Sequence, residues 1–265
     1  MRILDRRARG EVPSVERSVS RLARGFAVGR RYHPDMGAPD PAKEACGRRA
    51  AEFVEDGMVV GLGTGSTVWF TLVRLAERIA EDGISIRGVP TSLDTQTKAG
   101  ELGIPLTTLA EVETIDLTID GADEVDPELN LIKGGGGALL REKVVASISR
   151  REVIVAGRDK LVERLGTTFD LPVEVVPFAR ATIERALKKL GCQPRLRPAR
   201  EGTGPFVTDN GNEIFDCAFS EGIADPARLE ETLAALPGVV ESGLFVGLAH
   251  ALVVGDANGQ VEVRE

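Results

Sequence analysis

From residue 58 onward the chain repeats one arrangement: a short apolar run, a polar or glycine-bearing turn, then a segment with helical spacing. The runs Met58–Leu62, Ile84–Val89, Ile115–Ile119 and Val153–Ala156 are too short for helices and read as buried strands. Between them Trp69, Leu72, Ala76 and Ile79 mark one helix, and further helices are expected at about 94–102 and 138–149. A helix over about 41–55 precedes them, carried by Ala42, Cys46, Ala50 and Phe53 and stopped by Asp56-Gly57. Parallel strands need a crossover of a dozen or more residues, and each of these helices fits one. The pattern therefore predicts an open α/β sheet.

Beyond residue 165 the texture changes. Strands are expected at Val173–Val176, Gln193–Arg197, Phe206–Thr208, Ile214–Phe219 and Val239–Val246, with helices at 179–190 and 226–236. Asp209-Asn210-Gly211 and Ala257-Asn258-Gly259 are hairpin signals. This predicts a small α+β module of the split βαβ kind, with Ala251–Val254 returning to the first sheet.

Composition narrows the function. Hydrophobic residues make up 42% and charged residues 28%, ordinary values for a globular chain, and no apolar stretch is long enough to span a bilayer. Residues 1–35 carry a net charge of +5 and the rest a net of −13, so the acidic body repels phosphate backbones and argues against a nucleic-acid partner. The three cysteines (Cys46, Cys192, Cys217) and two histidines (His33, His250) give no disulfide framework and little for a metal site. The Arg-rich start lacks a secretory apolar core, and is read as a disordered extension over 1–38, with Met36 as a natural start, rather than a targeting peptide or basic arm.

In open α/β sheets ligands bind beyond the carboxyl ends of the strands. Three polar loops fall there: Gly63–Thr67, Thr91–Thr95 and Asp120–Gly137. Gly63–Thr67 offers glycines, hydroxyls and a helix start to a small anion; a capped βα turn is the plain alternative. It is neither a dinucleotide fingerprint, with Ser66 where the last glycine belongs, nor a P-loop, since no lysine follows. Asp120-Gly-Ala-Asp123 places two carboxylates at a strand end, fit for sugar hydroxyls or Mg²⁺, though their D-x-x-D spacing weakens the metal reading. Lys133-Gly134-Gly135-Gly136-Gly137 is the most unusual string: a glycine run inside a compact domain costs conformational entropy, and its amides suit an anion nest with a cation at the lip. Glu142, one turn into the next helix, shares a row with Ala138 and Val145 and leans inward. Partial burial would raise its pKa and the helix N-terminus would lower it. Either way a carboxylate with a reference pKa of about 4.3 is expected to stay largely ionised at neutral pH and to be available as a base. A solvated helix glutamate is the plain alternative.

Taken together, Gly61-Leu-Gly-Thr-Gly-Ser-Thr67, Asp120-Gly-Ala-Asp123, Lys133–Gly137 and Arg141-Glu142-Lys143 resemble ribose-5-phosphate isomerases of type A, in order and in spacing, over about residues 40–265. The resemblance implies a Rossmann-like domain with a smaller ferredoxin-like α+β domain: residues 39–166 catalytic, 167–246 the small domain, and 247–265 a return to the first. It further implies a cytoplasmic homodimer or homotetramer that acts on a sugar phosphate through an enediol(ate), without a cofactor. Position by position, Glu142 matches the proton acceptor, with Lys133, Asp120 and Asp123 completing the catalytic set. Thr64, Gly65, Ser66, Thr67, Gly121, Ala122, Gly134, Gly135 and Gly136 match substrate-binding segments, as do Lys160 and Lys43. Leu140 stands where the family often has threonine. Three other classes fit the scaffold: a sugar-phosphate sensor, an acyl-CoA transferase with a glutamate nucleophile, and a Mg²⁺-dependent phosphatase or kinase.

Overall fold

The computed structural model describes residues 40–265, so the expected extension over 1–38 lies outside the described residues. Along the chain run α1 (Pro41–Ala51), β1 (Val59–Leu62), α2 (Ser66–Glu81), β2 (Arg87–Pro90), α3 (Leu93–Glu101) and β3 (Leu117–Gly121). There follow β4 (Glu124–Val125), β5 (Leu131–Ile132), α4 (Leu139–Ser147), β6 (Glu152–Gly157), β7 (Leu171–Val175), α5 (Arg180–Lys189) and β8 (Gln193–Leu196). The chain closes with β9 (Glu213–Ala218), α6 (Pro226–Ala234), β10 (Val239–Ser242), β11 (Leu244–Phe245), β12 (Ala251–Gly255) and β13 (Val261–Arg264).

The main sheet has the order β13-β12-β6-β3-β1-β2, parallel except for the antiparallel edge strand β13. Its inner strands are buried along their length, as both faces of a parallel sheet are covered by helices. The largest core joins Val60, Leu62, Leu72, Leu75, Leu117 and Ile119 to α1. Truncating a fully buried side chain such as Leu72 to alanine would cost about 2–5 kcal/mol. Asp40 starts α1 by accepting from the amides of Ala42 and Lys43, with Pro41 in the first turn. Gly47 lets α1 press against α2, because a Cβ there would stand 2.7 Å from the Thr67 carbonyl oxygen.

The second sheet, order β10-β7-β9-β8, is antiparallel throughout. With α5 after β7 and α6 after β9, this is the ferredoxin-like arrangement, and it has its own core around Val173, Ile183, Leu187 and Phe215. A third sheet, β11-β5-β4, is small.

Several expectations shift. Phe206–Thr208 is not a strand: only an isolated bridge joins Pro198 to Pro205. Prolines cannot donate to a ladder, and Gly202 and Gly204 take left-handed φ of +78° and +108° beside them. The run Val239–Val246 is two strands in two sheets, broken at Gly243, where a Cβ would meet the Lys133 carbonyl oxygen at 2.2 Å. The two-residue strands β4 and β5 are too short for a periodicity to mark.

Candidate active site

Asp120 ends β3, in the middle of the main sheet, and is fully buried. Its Oδ1 accepts from the amides of Thr64 (3.0 Å) and Gly121 (2.7 Å). Gly63 makes room for this, since a Cβ there would stand 2.2 Å from that oxygen. Lys133 follows β5, its amide donating to the Gly243 carbonyl. Its Nζ donates to the Gly121 carbonyl at 2.5 Å and lies 3.1 Å from Asp120 Oδ2 and 3.2 Å from Glu142 Oε2. It also sits over the Phe245 ring, 5.3 Å from the centroid. Glu142 stands in the first turn of α4 and is 4% exposed, turned inward with Leu139, Val145 and Ala146.

Burial makes these charges interdependent. Desolvation works to lower the Lys133 pKa, but the Asp120 and Glu142 carboxyls outweigh it and hold the ammonium charged. Glu142 is pushed up to about 8, first by desolvation, then by Asp120, with Lys133 pulling the other way. Burial beside Asp120 thus gives Glu142 a higher pKa than a solvated helix glutamate has, while the Lys133 ammonium at 3.2 Å favours its ionised form. Burial also raises Asp123, against the opposing pull of the Gly135 amide, Lys133, Lys160 and Arg197.

Gly134 and Gly137 take φ of +106° and +85°, conformations that side chains rarely allow. The loop's amides are not all open to a ligand: Gly135 donates to Asp123 Oδ2 at 2.8 Å and Gly137 to the Gly134 carbonyl. The first loop lies alongside, where a Cβ on Gly136 would be 3.7 Å from Thr64 Cγ2. The Thr64 hydroxyl is within 2.8 Å of those of Thr91 and Ser92. Gly65, with φ of +123°, begins α2 without a side-chain cap, and Ser66 and Thr67 are half-buried in its first turn. The amides there and the helix dipole suit an anion.

The structure thus gathers Thr64, Asp120, Gly121, Asp123, Lys133, Gly135, Gly136 and Glu142 into one cluster. Ala122 lies half-buried between the two aspartates. Lys160, in a short 3₁₀ turn after β6, is near enough to act on Asp123, while pairing with Asp159 at 3.9 Å. Lys43 stands on α1, paired with Asp40 at 3.6 Å. A cavity of about 570 Å³ lined by Leu106, Leu109, Leu140 and Val144 includes none of these residues. Among the described residues no His, Cys, Asp or Glu cluster is arranged to hold a metal ion.

Two contributors escaped the sequence reading. Glu152, at the start of β6, is fully buried, neither carboxyl oxygen has a hydrogen-bond partner among the described residues, and its pKa is raised to about 8 by desolvation. An acid at the head of an apolar strand was the available signal. Arg197 reaches the glycine loop from β8's far end, a contact 63 residues distant in sequence, for which no local signal exists.

The sequence model for ribose 5-phosphate isomerase A (phosphoriboisomerase A) matches residues 87–259. The ribose-5-phosphate isomerase A of Thermosynechococcus vestitus is 51% identical over 225 residues, covering 84% of this chain and 95% of that protein. That of Gloeobacter violaceus is 54% identical over 221 residues, covering 83% and 94%. The solved ribose 5-phosphate isomerase A of Methanocaldococcus jannaschii superposes with a TM-score of 0.80 at 39% identity, over 84% of this chain and 97% of that one. A D-ribose-5-phosphate isomerase in complex with phospho-erythronic acid gives 0.82 at 41%, with the same coverage. With about half of the aligned residues identical across nearly the full length of these proteins, the chain belongs to the ribose 5-phosphate isomerase A family.

Proposed function

We propose that this chain interconverts D-ribose 5-phosphate and D-ribulose 5-phosphate, an aldose-ketose isomerisation within the non-oxidative pentose phosphate pathway. One observation carries the site reading: a buried ammonium lies 3.1 and 3.2 Å from two carboxyls, beside a loop of backbone amides. Sugar isomerisation needs a base to move a proton between adjacent carbons and a cation to hold the negative charge that appears on the neighbouring oxygen.

Only the open-chain sugar enolises, so the ring opens first, with Asp120 and Lys133 exchanging protons with the ring and anomeric oxygens. The Glu142 carboxylate then takes the proton from C2. The C2–H electron pair forms the C1–C2 double bond, and the carbonyl electrons pass to O1, giving an enediolate held by Lys133 and the glycine-loop amides. Glu142 returns the proton to C1 while the O2 proton passes to O1, leaving a ketone at C2 and a hydroxyl on C1. Asp123 orients the sugar hydroxyls. The phosphate lies at the α2 N-terminus with Ser66 and Thr67, reached by Lys160 and, from α1, by Lys43. The phospho-erythronic acid found in the similar isomerase carries a carboxylate and a phosphate, and this chain is expected to bind it at the same two places.

The same reading makes residues 39–166 with 247–265 the catalytic domain, 167–246 the smaller one, and the active species a cytoplasmic homo-oligomer. No helix among the described residues is long and apolar enough to cross a membrane.

The test is an assay of ketose formed from ribose 5-phosphate by chelator-treated full-length chain, with Glu142→Gln alongside. Turnover is expected to survive the chelator and to collapse in the variant. A wild-type chain that forms no ketose overturns the reading.

A further inference from the structure

The glycine loop has too much conformational freedom to aim its own amides, and the structure shows what restrains it. Arg197 Nη1 donates to the carbonyl oxygens of Gly134 (2.8 Å) and Gly135 (3.4 Å). Its Nε and Nη2 grip Asp216, and both side chains are nearly buried. Arg200 Nη2 donates to the Gly136 carbonyl at 3.0 Å. Both guanidinium groups lie over the Phe206 ring, at 5.8 and 5.6 Å from its centroid. That ring abuts Gly137, where a Cβ would be 2.4 Å from Phe206 Cζ.

A trans peptide is planar, so its C=O and N–H point in opposite directions. Fixing the Gly134 carbonyl on Arg197 therefore sends the Gly135 N–H the other way, and it is found 2.8 Å from Asp123 Oδ2. The same geometry applied to the Gly135 carbonyl turns the Gly136 N–H away from Arg197. We propose that Arg197, buttressed by Asp216 and seconded by Arg200, is a positioning residue for the isomerisation: it clamps the glycine-loop carbonyls so that the Gly135 N–H holds Asp123 and the Gly136 N–H faces the enediolate. The proposal rests on the isomerase reading above. It assigns the ferredoxin-like sheet a part in catalysis without substrate contact, since β8 leads into Arg197 and β9 carries Asp216. Arginine suits the task because one planar fork serves the carboxylate and the carbonyls together, which a lysine cannot do.

The experiment measures kcat and KM for ribose 5-phosphate in the full-length chain, with thermal melts, for Arg197→Met, Arg197→Lys and Asp216→Asn. Arg195→Met, on β8 with an exposed partner in Asp170, is the control and should change neither constant. Loss of an aligned oxyanion donor should lower kcat about 10–100-fold in Arg197→Met with KM within about 3-fold, because the amides act on charge present only in the transition state. Arg197→Lys, which retains a cation, should recover part of that loss, about 3–10-fold, and carries the test if the methionine variant does not fold. Adding Asp216→Asn to Arg197→Met should cost nothing further. Unchanged kcat in folded Arg197→Lys and Arg197→Met would overturn the proposal, as would a raised KM with kcat intact. If the wild type turns over and Glu142→Gln does not, an indifferent Arg197 sinks the clamp alone; a wild type without turnover sinks both.

Discussion

The loop that follows β1 and the loop that precedes α4 both bring glycines to a helix start, and they run alongside one another at Thr64 and Gly136. Their surroundings differ. Gly65–Thr67 opens α2 half-exposed, without a charged side chain in its first turn, offering amides and hydroxyls to whatever arrives from water. Gly134–Gly137 is set between a buried lysine and a buried glutamate, and its carbonyls are tied down from outside. The first arrangement fits a charge carried unchanged through the reaction, such as a phosphate. The second fits a charge that appears and vanishes, for which fixed dipoles in a dry site need no reorganisation. Burial, more than glycine content, separates binding from chemistry here.

Replacing the base should give the largest contrast between the two. Glu142→Gln keeps the shape and removes the proton acceptor, so kcat should fall about 10²–10⁴-fold with KM little changed. Ketose formation at the wild-type rate would break the comparison outright. Next, Lys133→Ala removes the cation beside the forming oxyanion and should cost about 3–4 kcal/mol in kcat/KM. Some of this loss will reflect Asp120 and Glu142 left without their shared partner, so Lys133→Met at raised pH and the melting temperature should be measured together.

The pH profile sharpens the chemical side. Glu142 must be deprotonated to accept the C2 proton, and its pKa is raised to about 8 in the unliganded site. The rate at limiting substrate should therefore climb with pH up to about 8 and level off above it, roughly tenfold per unit on the acid side. A profile flat from pH 6 to 9 would mean that Glu142 is already ionised, or is not the base. On the binding side, Ser66→Ala and Thr67→Val leave the α2 amides in place and should raise KM about 3–10-fold while kcat holds, as loss of a uniform binding interaction does. A fall in kcat without a change in KM would place this loop in the chemistry instead.

Most of the main sheet could be read from the sequence because its inner strands are largely apolar runs and the crossovers between β1 and β6 each carry one helix. Asp120, Lys133 and Glu142 were legible for a related reason: they stand at the ends or starts of those elements, where polar residues interrupt the pattern. What escaped has no local signature. Arg197 acts on carbonyls more than sixty residues away in sequence, and nothing in Arg-Leu-Arg distinguishes Arg197 from exposed Arg195. How far the pKa of Glu142 rises could not be read locally, because it depends on burial beside Asp120, which comes from β3 rather than from α4. The two halves of Val239–Val246 look continuous until Gly243 is seen passing the Lys133 backbone.

Glu152 extends the comparison to an acid buried beneath the site that takes no part in the proposed reaction. Its carboxyl lies in the same face of the main sheet as Asp120, sensing Asp120 and Lys133, with no hydrogen-bond partner among the described residues. Desolvation raises its pKa from 4.5 to about 8, so the folded chain holds a proton that the unfolded chain has already lost above pH 4.5. The stability this brings is complete below that pH, declines as pH rises, and is gone once pH passes about 8. Glu142 has the same sign and window, so wild-type stability should fall over this range by up to two protons' worth. Glu152→Gln cannot ionise, and should remove one proton's worth, up to about 1.4 kcal/mol per pH unit, while leaving kcat within about twofold. Denaturation curves collected from pH 4.5 to 9 measure this directly. Wild-type and variant curves that run parallel would mean that Glu152 is ionised in the folded chain, held by water or by Lys133; kcat falling with the substitution would instead bring this acid into the catalytic cluster.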